Sequence, residues 1–169
     1  MRMQFQEAKS KFIQTWGALG SQWGINKTMA QIHALLMVTP DALSMEDIMG
    51  ELHISRGNTS MNLRSLMDWG IVFKEYKPGE RKEYFSAESN IDELARKIAK
   101  ERSKREIKPT LRVLKDVTNI DTSASSEAAH FKAKTEELYD FVSRADNMLE
   151  KITEQKENWI TKTIIKLMT

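Results

Sequence analysis

The sequence contains no cysteine, which excludes a disulfide framework and any thiolate-ligated metal. Its three histidines, His33, His53 and His130, fall into no metal-ligand spacing, so no metal and no cofactor are expected. Long apolar runs are missing as well. The longest wholly apolar stretch is "ALLMV" at 34–38, far short of the roughly 20 residues that cross a bilayer. The N-terminus lacks the charged-then-apolar pattern of a secretory signal, and the expected location is the cytoplasm, with no membrane partner. No glycine-rich phosphate loop, nucleophile elbow or paired-carboxylate arrangement occurs, so nothing in the sequence points to an enzyme.

What is present is a charged chain of 169 residues, 40% hydrophobic and 30% charged, within the range of a folded protein. The net charge of +2 says little, but its distribution is uneven. Residues 1–90 carry 10 basic and 10 acidic side chains, residues 91–119 carry 9 and 5, and residues 120–169 carry 7 and 9. The basic excess lies in "ARKIAKERSKREIK", which reads as a solvated helix with i,i+4 ion pairs.

Phe5, Ala8, Phe12, Trp16, Leu19 and Trp23 recur at helical spacing and predict an amphipathic first helix, its end loosened by Gly17, Gly20 and Gly24. Asn26 predicts the cap of a second helix that "TPDA" stops near Thr39. Ser44 with Asp47 resembles a capping box that opens a short third helix to about Leu52. Ser55 caps a fourth, closed by Gly70. The β-prone runs "IVFKEY" and "KEYFSA" flank "KPGER", in which Pro78 and Gly79 suit the centre of a type II turn and predict a hairpin. Asn90 or Asp92 starts a further helix, which Pro109 either kinks or divides. After the polar connector "NIDTSASS", the chain from about Ser126 to Met168 lacks proline and glycine. There Phe131, Leu138, Val142, Ala145, Leu149, Ile152 and Trp159 keep a 3-4 spacing, the stripe of a long helix that needs a partner.

Three helices followed by a hairpin form a winged helix-turn-helix, a mainly α fold with a small β wing. The predicted organisation is an N-terminal dimerisation helix at 1–25, the winged domain at 26–90 and a C-terminal helical dimerisation region at 91–169. On the fourth helix Thr59, Leu63 and Leu66 share one face, with Ile54 before them and Ile71 and Val72 after, and these predict the core side. The remaining face presents Arg56, Asn58, Ser60, Met61, Asn62 and Arg64. These are donors and acceptors for base edges, an arginine for guanine or phosphate, and a methionine for a thymine methyl. Ser55 and Gly57 stand at the helix start, where backbone amides can approach a phosphate. Lys77, Arg81 and Lys82 place positive charge on the hairpin tip. Together these residues predict a double-stranded DNA surface. The rival reading is a winged-helix module that binds protein through its long helix.

The motifs "WGINK", "SRGNTSMNLRSL" and "PGERKEYF" carry a resemblance to the MarR-type winged-helix transcriptional regulators, and among them to the GbsR-like subgroup, over roughly residues 10–118. One departure is Thr59, where a Val-like residue is usual; its methyl group can still pack. The resemblance implies a homodimer held by N- and C-terminal helices, whose recognition helices enter successive major grooves of a pseudo-palindromic operator. The expected mode is repression by occluding a promoter, released by a small ligand. The subgroup's association with choline sensing makes a quaternary amine the expected class, with Trp16 and Trp23 as candidate cage residues. Core packing explains the same tryptophans without a ligand.

Overall fold

The computed structural model describes residues 3–123 and 125–154. It contains two compact units, one ending at Leu94 and the other beginning at Ala95. The first opens with α1 (Phe5–Gln22), which Gly24 ends at φ +74°. The Ile25 amide bonds back to the Gly20 carbonyl and the Gly24 amide to that of Ser21, closing the helix in a Schellman turn. Asn26 accepts from the Met29 amide and starts α2 (Lys27–Val38). Every position of α2 from Met29 through Leu36 is buried apart from Gln31, so this helix is the centre of the unit.

The first helix differs from its predicted form. Gly17 and Gly20 do not loosen its end; both are buried within it, on the face that meets α2. A Cβ on Gly20 would stand 2.6 Å from the Ala30 Cβ, and one on Gly17 would stand 2.6 Å from Gln31 Cγ. The missing side chains let two helix backbones approach, a packing role that outweighs the lower helix propensity of glycine. Ile13 completes this buried face, whereas Phe5 and Trp23 are exposed. Gly20→Ala should therefore destabilise the protein by about 1–2 kcal/mol. Overpacking costs about 1–3 kcal/mol, offset in part by the better helix former. Urea unfolding monitored by circular dichroism checks it; an unchanged or raised midpoint would show that α1 can shift freely on α2.

A two-residue strand, β1 (Leu43–Ser44), follows, and its two residues are too few to show a period in the sequence. Ser44 then caps α3 (Met45–Leu52) in a full capping box: the Asp47 amide donates to Ser44 Oγ at 3.2 Å and the Ser44 amide to the Asp47 carboxylate at 2.9 Å. His53 ends α3 in the left-handed region at φ 53°, and a histidine tolerates this better than most residues. Only His53, Ile54 and Ser55 separate α3 from α4 (Arg56–Asp68). Gly70, at φ +69°, stops α4. The Ile71 amide returns to Leu66 and the Gly70 amide to Met67, and the buried Ile71 and Leu66 seal the turn.

That stop delivers the chain directly into β2 (Val72–Tyr76), which pairs antiparallel with β3 (Glu83–Ala87). Pro78 and Gly79 occupy the turn, with Gly79 at φ +80° and the Glu80 amide donating to the Lys77 carbonyl. β1 pairs with the other edge of β3, giving the order β1-β3-β2. Phe85 at the centre of β3 is buried with Ile32, Leu35, Ile48, Leu63, Leu66 and Val72. Helices α2, α3 and α4 with this sheet make a winged helix-turn-helix. α1 belongs to this same unit and packs against α2.

Asn90 caps α5 (Ile91–Arg102) by accepting from the Asp92 and Glu93 amides. In the second unit α5 passes without a break through a π-helical turn at Ser103–Ile107 into α6 (Lys108–Thr118). Pro109 lacks an amide hydrogen and its ring crowds the carbonyl four residues back, and the wider turn relieves that crowding. α7 (Ser126–Glu154) packs on α6. Ser103 donates to the buried Asp146 carboxylate at 2.5 Å, and Lys108 pairs with Glu150 at 2.7 Å. The predicted stripe of α7 is covered along only part of its length. Val142 and Leu149 are half-buried beside Asp146, whereas Phe131 and Leu138, nearer the helix start on the same stripe, are exposed, as are Phe141 and Met148. Trp159 and the helix predicted beyond Glu154 lie outside the described residues.

Candidate nucleic-acid interface

α4 is pinned by its inner side. Thr59 is fully buried, its hydroxyl donating to the Ser55 carbonyl at 2.9 Å, and Leu63 and Leu66 are about equally enclosed. The outer side carries Arg56, Gly57, Met61 and Arg64 in the open, with Met61 57% exposed. Ser55 is exposed and caps the helix through the Asn58 amide. Ser60 is half-buried, and its hydroxyl accepts from Arg64 Nη2 at 3.2 Å. A Cβ at Gly57 would meet nothing within 4 Å. Among the described residues nothing therefore requires glycine there, although glycine weakens a helix by roughly 0.5–1 kcal/mol.

Asn62 does not belong to this outer face. It is 3% exposed, three residues from Thr59 and four from Leu66, and shares their side of the helix. Its amide donates to the Asn58 carbonyl at 2.8 Å and to Asn58 Oδ1 at 2.6 Å. It thus orients the half-buried Asn58 rather than meeting a partner itself. The 59-62-66 spacing is helical and was available in the sequence; the polar character of asparagine concealed it.

The wing presents Lys77, Arg81 and Lys82, all exposed. Lys77 Nζ stands 4.0 Å from the centre of the Tyr84 ring, a cation–π contact that steadies it. The Tyr84 hydroxyl donates to Glu80, which raises its pKa. Across the sheet Lys74 pairs with Glu83 at 2.8 Å and Ser86 donates to Glu75.

One participant that the sequence reading missed is Glu46 at the start of α3. Its carboxylate receives Arg56 Nη2 at 2.6 Å, and Arg56 Nη1 lies 3.8 Å from Met45 Sδ. Ten residues separate the two, and only the angle between α3 and α4 brings them together. Glu46 is held below the usual carboxylate range by its own backbone amide first and by Arg56 next. The Ser44 hydroxyl does most to lower Asp47, and Lys82 adds attraction to both carboxylates. The start of α3, the start of α4 and the wing therefore form one mixed-charge surface in which cations predominate.

The two candidate cage tryptophans are two helical turns apart on α1, about 10 Å along its axis. Trp16 is half-buried, its ring 5.6 Å from Phe12 and 6.4 Å from His33, whereas Trp23 is 53% exposed. Among the described residues no cluster of histidines and carboxylates could hold a metal ion, and no helix is long and apolar enough to cross a membrane.

No protein-family model and no curated protein matches the sequence. Solved structures match the fold. A crystal structure of a transcriptional regulator superposes with a TM-score of 0.56 over 85% of this chain and 99% of its own, at 17% identity. That likeness is one of fold. A mutant of S. aureus MepR bound to an oligodeoxyribonucleotide superposes with a TM-score of 0.41 over 82% of this chain and 94% of its own, at 15% identity, too loosely to carry weight.

Proposed function

We propose that the protein is a sequence-specific, DNA-binding transcriptional regulator that acts in the cytoplasm as a homodimer. The observation that carries this reading is the outer face of α4. It is rigidly backed by Thr59, Leu63 and Leu66, it offers Arg56, Met61 and Arg64, and it is followed by a wing tipped with Lys77, Arg81 and Lys82. A helix of this kind fits the major groove, and cations on a wing fit the adjoining phosphates. The exposed Phe131, Leu138, Phe141 and Met148 on α7 support self-association, since an apolar stripe of that size favours burial. Repression by occluding a promoter, control by a small ligand such as a quaternary amine, and membership of the GbsR-like subgroup belong to this reading through the sequence resemblance. The cationic wing favours DNA over the protein-binding alternative.

The test is selection of bound sequences from a random duplex pool, repeated with two variants. Arg56→Ala should cost on the order of 1–3 kcal/mol on the preferred duplex and relax preference at one base position, because a base contact carries sequence information. Arg81→Ala should weaken all duplexes about equally, because a phosphate contact carries none. An unchanged consensus and affinity for Arg56→Ala would remove α4 as the reading element.

A further inference from the structure

An arginine aimed at DNA can serve two kinds of acceptor. A guanine edge takes two parallel N–H donors, and any phosphate takes them as well. A long, freely rotating arginine therefore gains affinity on every sequence. Specificity requires that it be held toward the base and kept from the backbone.

Arg56 is held in this way. Its Nη2 is tied to Glu46 by one hydrogen bond of 2.6 Å, and its Nη1 rests against Met45 Sδ. The guanidinium has five N–H donors. The single bond to Glu46 leaves enough of them for a fork onto a base edge. Both partners are open to solvent, with 66% of the Arg56 side chain and 48% of the Glu46 side chain exposed. An exposed ion pair adds little to stability, so the contact is poorly explained as a fold-stabilising device. Glu46 also stands in the first turn of α3, the helix that crosses the phosphate backbone when a helix-turn-helix docks. There a carboxylate repels phosphates while it draws the guanidinium away from them.

Resting on the DNA-binding reading above, we infer that Glu46 is a positioning residue for recognition: it buttresses Arg56 toward a base edge and withholds it from phosphates. The alternative role, a plain competitor for Arg56, has a different signature. A competitor taxes the specific complex at least as much as the non-specific one, so its removal leaves discrimination unchanged or improves it. Removal of a buttress lowers discrimination.

The experiment measures affinity for a selected duplex and a scrambled duplex of equal length, for the wild type, Glu46→Gln, Glu46→Ala, Arg56→Ala and the double variant Glu46→Gln/Arg56→Ala. Glu46→Gln should bind the scrambled duplex about threefold more tightly and the selected one about threefold more weakly, a roughly tenfold loss of discrimination, with a salt slope steeper by about one. Glu46→Ala should do the same, and sequence selection with either variant should relax the base position that Arg56→Ala relaxes. In the Arg56→Ala background, Glu46→Gln should raise both affinities equally and leave the ratio unmoved. Unchanged melting midpoints would confirm that the fold is intact. If the wild type discriminates between the duplexes and Glu46→Gln keeps or raises that ratio, the buttress is overturned while DNA binding stands. If the wild type binds neither duplex in a salt-dependent way, the DNA reading fails and the inference fails with it.

Discussion

Raising the salt concentration from about 50 to about 200 mM should weaken DNA binding by roughly a thousandfold or more. In the proposed dimer each subunit would bring Arg64, Lys77, Arg81 and Lys82, all of them exposed, to the phosphates beside the base-directed Arg56. Two subunits on one operator would neutralise about six to eight phosphates and release the counterions condensed there, which gives that steep dependence. Glu46, Asp47 and Glu80 stand among these cations and hold the expected count toward the lower end. Titrations by fluorescence anisotropy at four salt concentrations measure the slope directly. A flat response would withdraw the DNA reading and leave the wing cations as ordinary surface charge. The overall net charge of +2 could not have foretold so strong a dependence; it comes from where the cations lie.

The second large effect concerns stability in mild acid. His33 lies in the buried core of α2, with its Nε2 enclosed and without a hydrogen-bond partner among the described residues, beside Trp16. Burial lowers its pKa from 6.5 to about 4, because an imidazolium would lose its hydration there. The unfolded chain therefore takes up a proton near pH 6.5 that the folded chain refuses until about pH 4. Stability is full above that window and falls as pH drops through it. The loss is on the order of 3 kcal/mol, roughly a hundredfold in the folding equilibrium. His33→Leu should flatten this part of the curve and be neutral or stabilising at pH 7, since it removes an unsatisfied buried polar atom. The lowered carboxylates Glu46 and Asp47 lose their contribution as pH falls through their own folded values. Urea midpoints at pH 7, 5.5 and 4.5 for both proteins test this. A parallel decline would show that His33 finds a way to charge within the fold.

Much of the architecture was legible because it depends on neighbours in the chain. Asn26, Ser44 with Asp47, and Ser55 cap helices through amides three residues away. Gly70 and Gly79 mark positions of positive φ that other residues adopt at a cost. Thr59, Leu63 and Leu66 took the core side of α4 because apolar atoms recurring at helical spacing have one way to leave water together. Each of these signals is short in range, so the amino-acid order alone carries it.

Tertiary packing decided the rest. Gly17 and Gly20 read as flaws until α2 was set against them, since a close approach is a property of two helices and neither sequence segment contains it. Asn62 turned inward because its amide finds both acceptors on Asn58, which compensates its burial. The stripe on α7 is half-covered at Val142 and Leu149, where the helix packs on α6, and open at Phe131 and Leu138 nearer its start, a difference that only the packing of the two helices sets. Glu46 met Arg56 across a turn whose angle His53 sets in the left-handed region. Contacts between elements depend on crossing angles and distances that sum over many side chains, and a linear pattern records which residues want burial or charge without recording which partner supplies it.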